Sequence, residues 1–214
     1  MARSVGDKTK QFKLGAGAVC LDFCNTAADR ITNELRKTIR TYSNLIEWCK
    51  AANLLTPQDY KRLAGLSFSQ TKRTRRALRK TIELREVIYR VFSSLASGKT
   101  PEYGDLSLLT FFWSAAAARM KLKKSAAAFK LSLDADDLEY PLRRIAASAM
   151  ELLVSDKVLR VRRCASPTCD WLFLDQSKNR TRRWCDMQVC GSRLKSRRYY
   201  KKIRSSRRMT VQAD

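Results

Sequence analysis

The chain predicts an α+β fold that is mainly α: a helical N-terminal domain with one minor β-hairpin, then a small metal-pinned module ending in a basic helix. Three observations predict it. Apolar residues recur at three- and four-residue intervals through most of residues 41–153, the pattern of helices with one buried face. One short stretch, residues 121–133, comes close to strict alternation instead, as a hairpin does. Near the C-terminus Cys164, Cys169, Cys185 and Cys190 form two C-x4-C pairs separated by fifteen residues, with arginine and lysine on both sides of the second pair.

Taken in order, Ala18 to Thr26 is apolar with Asp22 and Asn25 set into it, so it should be buried. Thr41 to Leu55 spaces Tyr42, Leu45, Ile46, Trp48, Cys49 and Ala52 along one helix face. Thr56-Pro57-Gln58-Asp59 offers an N-cap with proline at the first helical position, opening a helix through Ala64 that Gly65 should close. A long helix is expected from Gln70 to Ser97, ending at Gly98. Its first two turns carry Lys72, Arg73, Arg75, Arg76, Arg79 and Lys80, cations that oppose the helix dipole; a solvated face explains them more simply than an anion contact. Tyr103 to Met120 is a further helix, Lys121 to Leu133 a hairpin, and Asp134 to Leu153 a helix with acidic residues in its first turn. The boundary falls near Ser155 to Arg160, giving a body over residues 12–157 and a module over 158–208 packed against it. In the module, Trp171 to Asp175 is strand-like, Gln176 to Thr181 turn-rich, and Arg182-Arg183-Trp184 can return as a second strand. Cys190-Gly191-Ser192 then opens a helix to about Arg208, an arrangement that resembles a treble clef.

Composition narrows the chemistry. The 214 residues include no histidine, which removes mixed Cys/His zinc sites, the commonest general base and every Ser-His-Asp or Cys-His arrangement. A tetrahedral site built from four thiolates has no open position for water or substrate, so one structural Zn2+ is expected at Cys164, Cys169, Cys185 and Cys190, and no enzyme. Seven cysteines are an odd number, four of them at metal-like spacing, so Cys20, Cys24 and Cys49 are expected as reduced, mostly buried thiols rather than a disulfide framework. Redox sensing through them has no support in the sequence.

The formal net charge of +24 makes an anionic partner the default. Residues 160–208 hold 16 lysines and arginines against Asp170, Asp175 and Asp186, so over half the excess lies beside the cysteines. Basic runs often only solvate a surface or meet acidic lipid, but these share a segment with a metal site. No stretch approaches a membrane span and the N-terminus shows no apolar signal core, which points to a cytoplasmic, nucleoid-associated protein. On a helical wheel Arg193, Arg197, Lys201, Arg204 and Arg208 fall within about 80°, Lys195, Arg198 and Lys202 add further cations to the helix, and Tyr199 and Ile203 lie away from the basic arc. Such a face suits the major groove, while Lys178, Arg180, Arg182 and Arg183 could hold the flanking backbone. In the body, Asp22, Asn25 and Arg85 are polar in apolar surroundings. Either they form a ligand pocket in which Arg85 meets a small anion, or an internal Asp22 to Arg85 pair fixes the fold, the reading favoured here.

The residues from Arg163-Cys164 through Cys169-Asp170-Trp171-Leu172-Phe173-Leu174-Asp175, then Ser177, Asn179-Arg180, Arg182-Arg183-Trp184-Cys185, Met187 and Cys190-Gly191, resemble the CGNR zinc finger. Cys20-Leu21-Asp22-Phe23-Cys24-Asn25-Thr26, the Tyr42, Leu45, Trp48 helix and Leu84-Arg85-Glu86 resemble the ABATE domain that precedes that finger in bacterial stress-induced transcription regulators. The resemblance implies a mainly helical N-terminal domain and a DNA-binding regulator of the stress response. One departure is plain: the signature Cys-Gly-Asn-Arg is here Cys190-Gly191-Ser192-Arg193, and serine can still cap the helix. The expected function is therefore zinc-dependent DNA binding in transcription regulation. Duplex DNA is the expected partner, and the N-terminal domain senses an unidentified small-molecule effector or forms a homodimer. The alternatives are an RNA- or ribosome-binding zinc protein and a protein-interaction adaptor, since phosphate attraction alone does not separate DNA from RNA.

Overall fold

Thr41 and Thr56 start two helices in the same way. Ahead of α2 (Tyr42–Ala51), the Thr41 hydroxyl accepts from Asn44 N at 3.1 Å while the Asn44 side chain accepts from Thr41 N at 3.3 Å. Ahead of α3 (Pro57–Ser69), Thr56 and Asp59 repeat that reciprocal pair, with Pro57 in the first turn. Each cap satisfies N–H groups that a helix start otherwise leaves orphaned, a contribution of about 1 kcal/mol. The computed structural model describes residues 12–27, 39–126, 128–192 and 196. The residues expected to form the basic helix (Arg193, Lys195, Arg197, Arg198, Lys201, Lys202, Arg204 and Arg208) lie outside them.

The described chain is mostly helical, with two small antiparallel hairpins. A short buried helix, α1 (Val19–Cys24), packs against the long α4 (Thr71–Ala96) and against α6 (Tyr140–Leu153). α5 (Tyr103–Ala117) closes the bundle against α4 and α6, and α2 with α3 covers the remaining side. At the centre the Phe23 and Trp48 rings stand 5.0 Å apart and tilted by 54°. Both are fully buried, as are Phe92, Leu84, Ile88 and Ile145; each such side chain contributes about 1.5–3 kcal/mol through burial. The thiols of Cys20 and Cys49 sit in the same core, and burial pushes the Cys20 thiol up to about 12 and Cys49 higher still, so both are inert as nucleophiles.

Two boundaries differ from expectation. Gly65 does not end α3, which runs to Ser69 and breaks at Gln70 (φ −123°, ψ 55°); a glycine stops a helix by adopting φ > 0, and Gly65 does not. α6 begins at Tyr140 rather than near Asp134, because Pro141 lacks the N–H and the steric room that an earlier start would require. The freed segment is held by charge instead: buried Arg143 donates to Asp137 at 2.9 and 3.1 Å and to Asp136 at 3.3 Å. Lys121 and Lys123 of the hairpin β1 (Lys121–Lys124) and β2 (Phe129–Ser132) meet Asp134.

The hairpin expected between the cysteine pairs does not form. β4 (Leu172–Leu174) pairs with β3 (Val161–Arg163), which precedes the first cysteine, and not with Arg182–Trp184. The reason is that both edges of β4 are occupied. β3 and its flanks take one edge, with Cys164 N donating to Trp171 O and Asp175 N to Arg160 O, each at 2.9 Å. The body takes the other. Leu174 N donates to Ala16 O at 2.6 Å, while the Asn25 side chain accepts from Leu172 N at 3.0 Å and donates to Leu172 O at 2.9 Å. Gly17, at φ +88°, lets the chain approach closely enough that an added Cβ would stand 3.0 Å from the Leu174 Cβ.

Candidate metal centre

The β3–β4 ribbon and a π-helical turn at Met187–Gly191 bring the two cysteine pairs to one point. Cys164 leaves the end of β3, and the tight turn that returns to β4, with Cys169 N donating to Ser166 O at 3.1 Å, carries Cys169 back beside it. Cys185 follows the loop and Cys190 lies in the π-helical turn. Asp186 caps that turn, accepting from Gln188 N at 2.7 Å and Val189 N at 3.0 Å, and its carbonyl accepts from Cys190 N at 2.9 Å. A Cβ added at Gly191 would meet Met187 Sδ at 2.6 Å, so the exposed Met187 side chain would have to swing aside to admit one.

All four sulfurs lie within 4.8 Å of one another, and none is in a disulfide. Thiolates about 2.3 Å from a tetrahedral zinc stand about 3.8 Å apart; Cys169 and Cys185 are 3.7 Å apart and Cys185 and Cys190 3.6 Å. The donor set thus fits one structural Zn2+, closed to substrate. The four sulfurs are electrostatically linked: hydrogen bonds with Cys169 and Cys185 hold the Cys164 thiol well below its usual value, while the same contacts and burial push Cys185 far up. Burial first and the neighbouring sulfurs second raise Cys190 to about 12. Zinc must therefore displace protons to bind.

Of the cations expected at a nucleic-acid surface, Lys178, Arg180 and Arg183 are exposed on the loop before Cys185, and Arg183 stacks 5.6 Å from the Trp184 ring centroid. Neither Lys178 nor Arg180 pairs with a carboxylate among the described residues. Arg182 turns inward instead. Its guanidinium lies 4.5 Å over the Phe173 ring and donates to the carbonyls of Trp184 and Cys185, while its backbone N–H reaches Asp175 at 3.0 Å. Arg182 thus braces the loop that delivers Cys185. Buried Asp175 also accepts from the backbone N–H and hydroxyl of Ser177, at 2.9 and 2.6 Å; burial acts to raise its carboxyl, and these donors outweigh burial and hold it below the usual range.

The polar residues of α1 serve this module rather than a pocket. Asp22 accepts from Gly15 N and Ala16 N at 2.8 and 2.9 Å, shaping the bend that hands Ala16 O to β4. The Asp22 to Arg85 pair is absent: Arg85 donates to Glu86 at 2.9 Å, and one of its terminal nitrogens is buried without a partner. Asn25 is the clamp on Leu172 described above. Lys13 completes the attachment with an ion pair to Asp186 at 2.5 Å. Asp22 and Asn25 stood out in the sequence as polar residues in an apolar run; Lys13, Asp175, Arg182 and Asp186 carried no such signal.

No curated protein matches the chain. The family described as CGNR zinc finger matches residues 160–202, so all four cysteines fall within it. Neither that family nor the one matched by the body is catalytic in kind, and no helix among the described residues is long and apolar enough to cross a membrane. Residues 17–156, about two thirds of the chain, match the ABATE family, and the chain accordingly belongs to the family described as "Putative stress-induced transcription regulator".

Proposed function

We propose that the protein is a zinc-dependent, DNA-binding transcription regulator in which the four-cysteine module and the basic segment after it contact duplex DNA, while the N-terminal domain senses an effector or dimerises. The observation that carries this reading is the convergence of Cys164, Cys169, Cys185 and Cys190 on a zinc-sized site, with Lys178, Arg180 and Arg183 exposed on the loop that leads to Cys185. Zinc fixes the backbone there, and a fixed backbone lets cations meet phosphates at defined spacing. Arg193, Lys195, Arg197, Arg198, Lys201, Lys202 and Arg204 continue the charge in sequence and supply the groove contacts of this proposal. Arg182 is reassigned to holding the module.

The test is fluorescence anisotropy of the zinc-loaded protein on duplex DNA, challenged with unlabelled single-stranded RNA and then with a chelator. Duplex binding that resists RNA and collapses on zinc removal supports the reading; displacement by RNA transfers the surface to an RNA partner. With about six phosphates neutralised, log affinity falls against log salt with a slope of about −5, and replacing Arg197 and Lys201 makes it shallower by about two.

A further inference from the structure

We infer that the first two turns of α4 are a second DNA-contacting surface, a basic helix face on the body that holds the phosphate backbone of the duplex. The inference rests on the duplex-binding reading above and assigns part of that binding to the N-terminal domain. On a helical wheel Lys72, Arg75, Arg76 and Arg79 fall within about 100°. All four are exposed on a helix of 26 residues, and none pairs with a carboxylate among the described residues. The carboxylates beside this face are committed elsewhere. Arg73 and Arg76 line a cavity of about 360 Å³ that Asp136, Asp137 and Glu139 also line. Yet Arg119 and Arg143 hold the two aspartates, and Lys80 holds Glu139 at 2.6 Å. Glu83, the next residue on the arc, forms no ion pair with Arg79. Folding gives no reason for this arrangement. The cations crowd the positive end of the helix dipole, Gln70 supplies no side-chain cap, and like charges three and four residues apart repel. Bound phosphates would remove each of these penalties.

Duplex DNA fits the face better than an acidic protein or a lipid surface. Three of the four cations are arginines, whose planar and weakly hydrated forks grip phosphate through paired hydrogen bonds, whereas lysine would serve solubility equally well. At about 1.5 Å per residue, Lys72 to Arg79 covers about 10 Å, the length of about three phosphates of one strand at about 3.4 Å each. The arc carries no apolar side chain, while protein interfaces and membrane-surface helices bury apolar area beside their charges. Phe68, 90% exposed, is the nearest exposed large apolar residue in sequence and belongs to α3. One apolar core also runs through body and module, so the α4 face keeps a fixed spacing from Lys178, Arg180 and Arg183. A second contact on the same rigid unit adds affinity without a further ordering cost.

The test is the salt dependence of duplex affinity, measured by fluorescence anisotropy of the zinc-loaded full chain. Arg75→Gln/Arg79→Gln should lower affinity at least about tenfold near physiological salt and make the slope of log affinity against log salt shallower by about two. Far-UV circular dichroism and zinc content should be unchanged and Tm equal or higher, because repulsion at the helix start is relieved. Lys99→Gln/Lys130→Gln removes the same charge from exposed positions elsewhere and should leave the slope within about 0.5 of the wild type. An unchanged slope in the α4 variant overturns the inference; if Arg197→Gln/Lys201→Gln still flattens it, the duplex reading stands. A wild type that binds no duplex overturns both. Equal flattening by the Lys99 and Lys130 changes also sinks the α4 face, since total charge then accounts for the effect. So does an α4 variant that keeps the wild-type slope but no longer pellets with phosphatidylglycerol vesicles, a result that assigns the face to lipid.

Discussion

The body and the zinc module are held by different forces, although one apolar core runs through both. Trp48, Phe23, Phe92 and Leu84 are buried entirely in the body, where side-chain volume does the work. Among the described residues of the module only Leu172, Phe173 and Leu174 of β4, with Val161 of β3, supply comparable apolar burial. The rest is polar: a carboxylate at Asp175, a guanidinium at Arg182, a cap at Asp186 and four sulfurs around a point. A small domain with so little core needs a metal, and the contrast teaches where each region should fail.

Zinc removal should separate the two most sharply. Binding of structural zinc contributes on the order of 10 kcal/mol near neutral pH, so chelation, or Cys169→Ser, should abolish amide protection over residues 164–171 and 184–191. Protection in α2, α4 and α6 should persist in the same hydrogen-exchange experiment. Loss of protection everywhere at once would show a single cooperative unit. Acid should act like a chelator. Cys185 and Cys190 are raised, so zinc must displace their protons, and apparent zinc affinity should fall as pH decreases. Competition with a colorimetric chelator between about pH 8 and about 5.5 measures it.

The body should break by volume. Trp48→Ala removes a fully buried ring packed at a tilt on Phe23 and should cost about 3–5 kcal/mol in urea unfolding followed by circular dichroism. Trp48→Phe should cost much less than that, because the indole N–H it removes is buried without a partner. Equal losses for the two would mean that the ring's edge, and not its volume, matters here.

What the sequence disclosed follows the same division. Local patterns were enough for the body: three- and four-residue periodicity placed α2, α4 and α5, Thr56-Pro57 started α3, and alternation marked β1 and β2. C-x4-C spacing was enough for the metal ligands, because their chemistry allows few other uses. Non-local hydrogen bonding was not visible. Whether β4 pairs with residues 161–163 or 182–184 depends on which edge is free, and that depends on Ala16 and on Asn25, which lies 147 residues before Leu172 in the chain. The inward turn of Arg182 was hidden for the same reason, since a run of arginines does not say which one stacks on Phe173.

Asn25 is where the two regions are joined, so its variants sharpen the comparison. Asn25→Leu leaves the Leu172 N–H and carbonyl without partners beside a buried strand, a cost of about 2–4 kcal/mol for the pair. Asn25→Asp keeps an acceptor for Leu172 N but faces Leu172 O with a carboxylate oxygen, so it should recover little of that loss. Zinc content should survive in both, because the hydrogen bonds of the Asn25 side chain go to the Leu172 backbone and not to a zinc cysteine. A variant that loses zinc while the body stays folded would mean that the clamp shapes the metal site itself.

The smallest effect belongs to Lys13 and Asp186. Their ion pair is partly exposed, and replacing Lys13 with Met should cost only about 0.2–1 kcal/mol, less at high salt. Asp186→Ala should cost more, about 1–2 kcal/mol, because the carboxylate also caps the turn that carries Cys190. The Lys13 ammonium and the Val189 and Gln188 N–H donors hold the Asp186 carboxyl below its usual range. A depressed carboxyl contributes stability that is complete above the unfolded value, about pH 4, and is lost as pH falls through the folded value below it. Stability of the zinc-loaded protein should therefore not depend on Asp186 titration above about pH 5. Acid loss of the metal above that pH should be the same in Asp186→Asn as in the wild type. A variant that loses zinc at higher pH than the wild type would instead place this carboxylate in control of the metal, acting through the turn it caps.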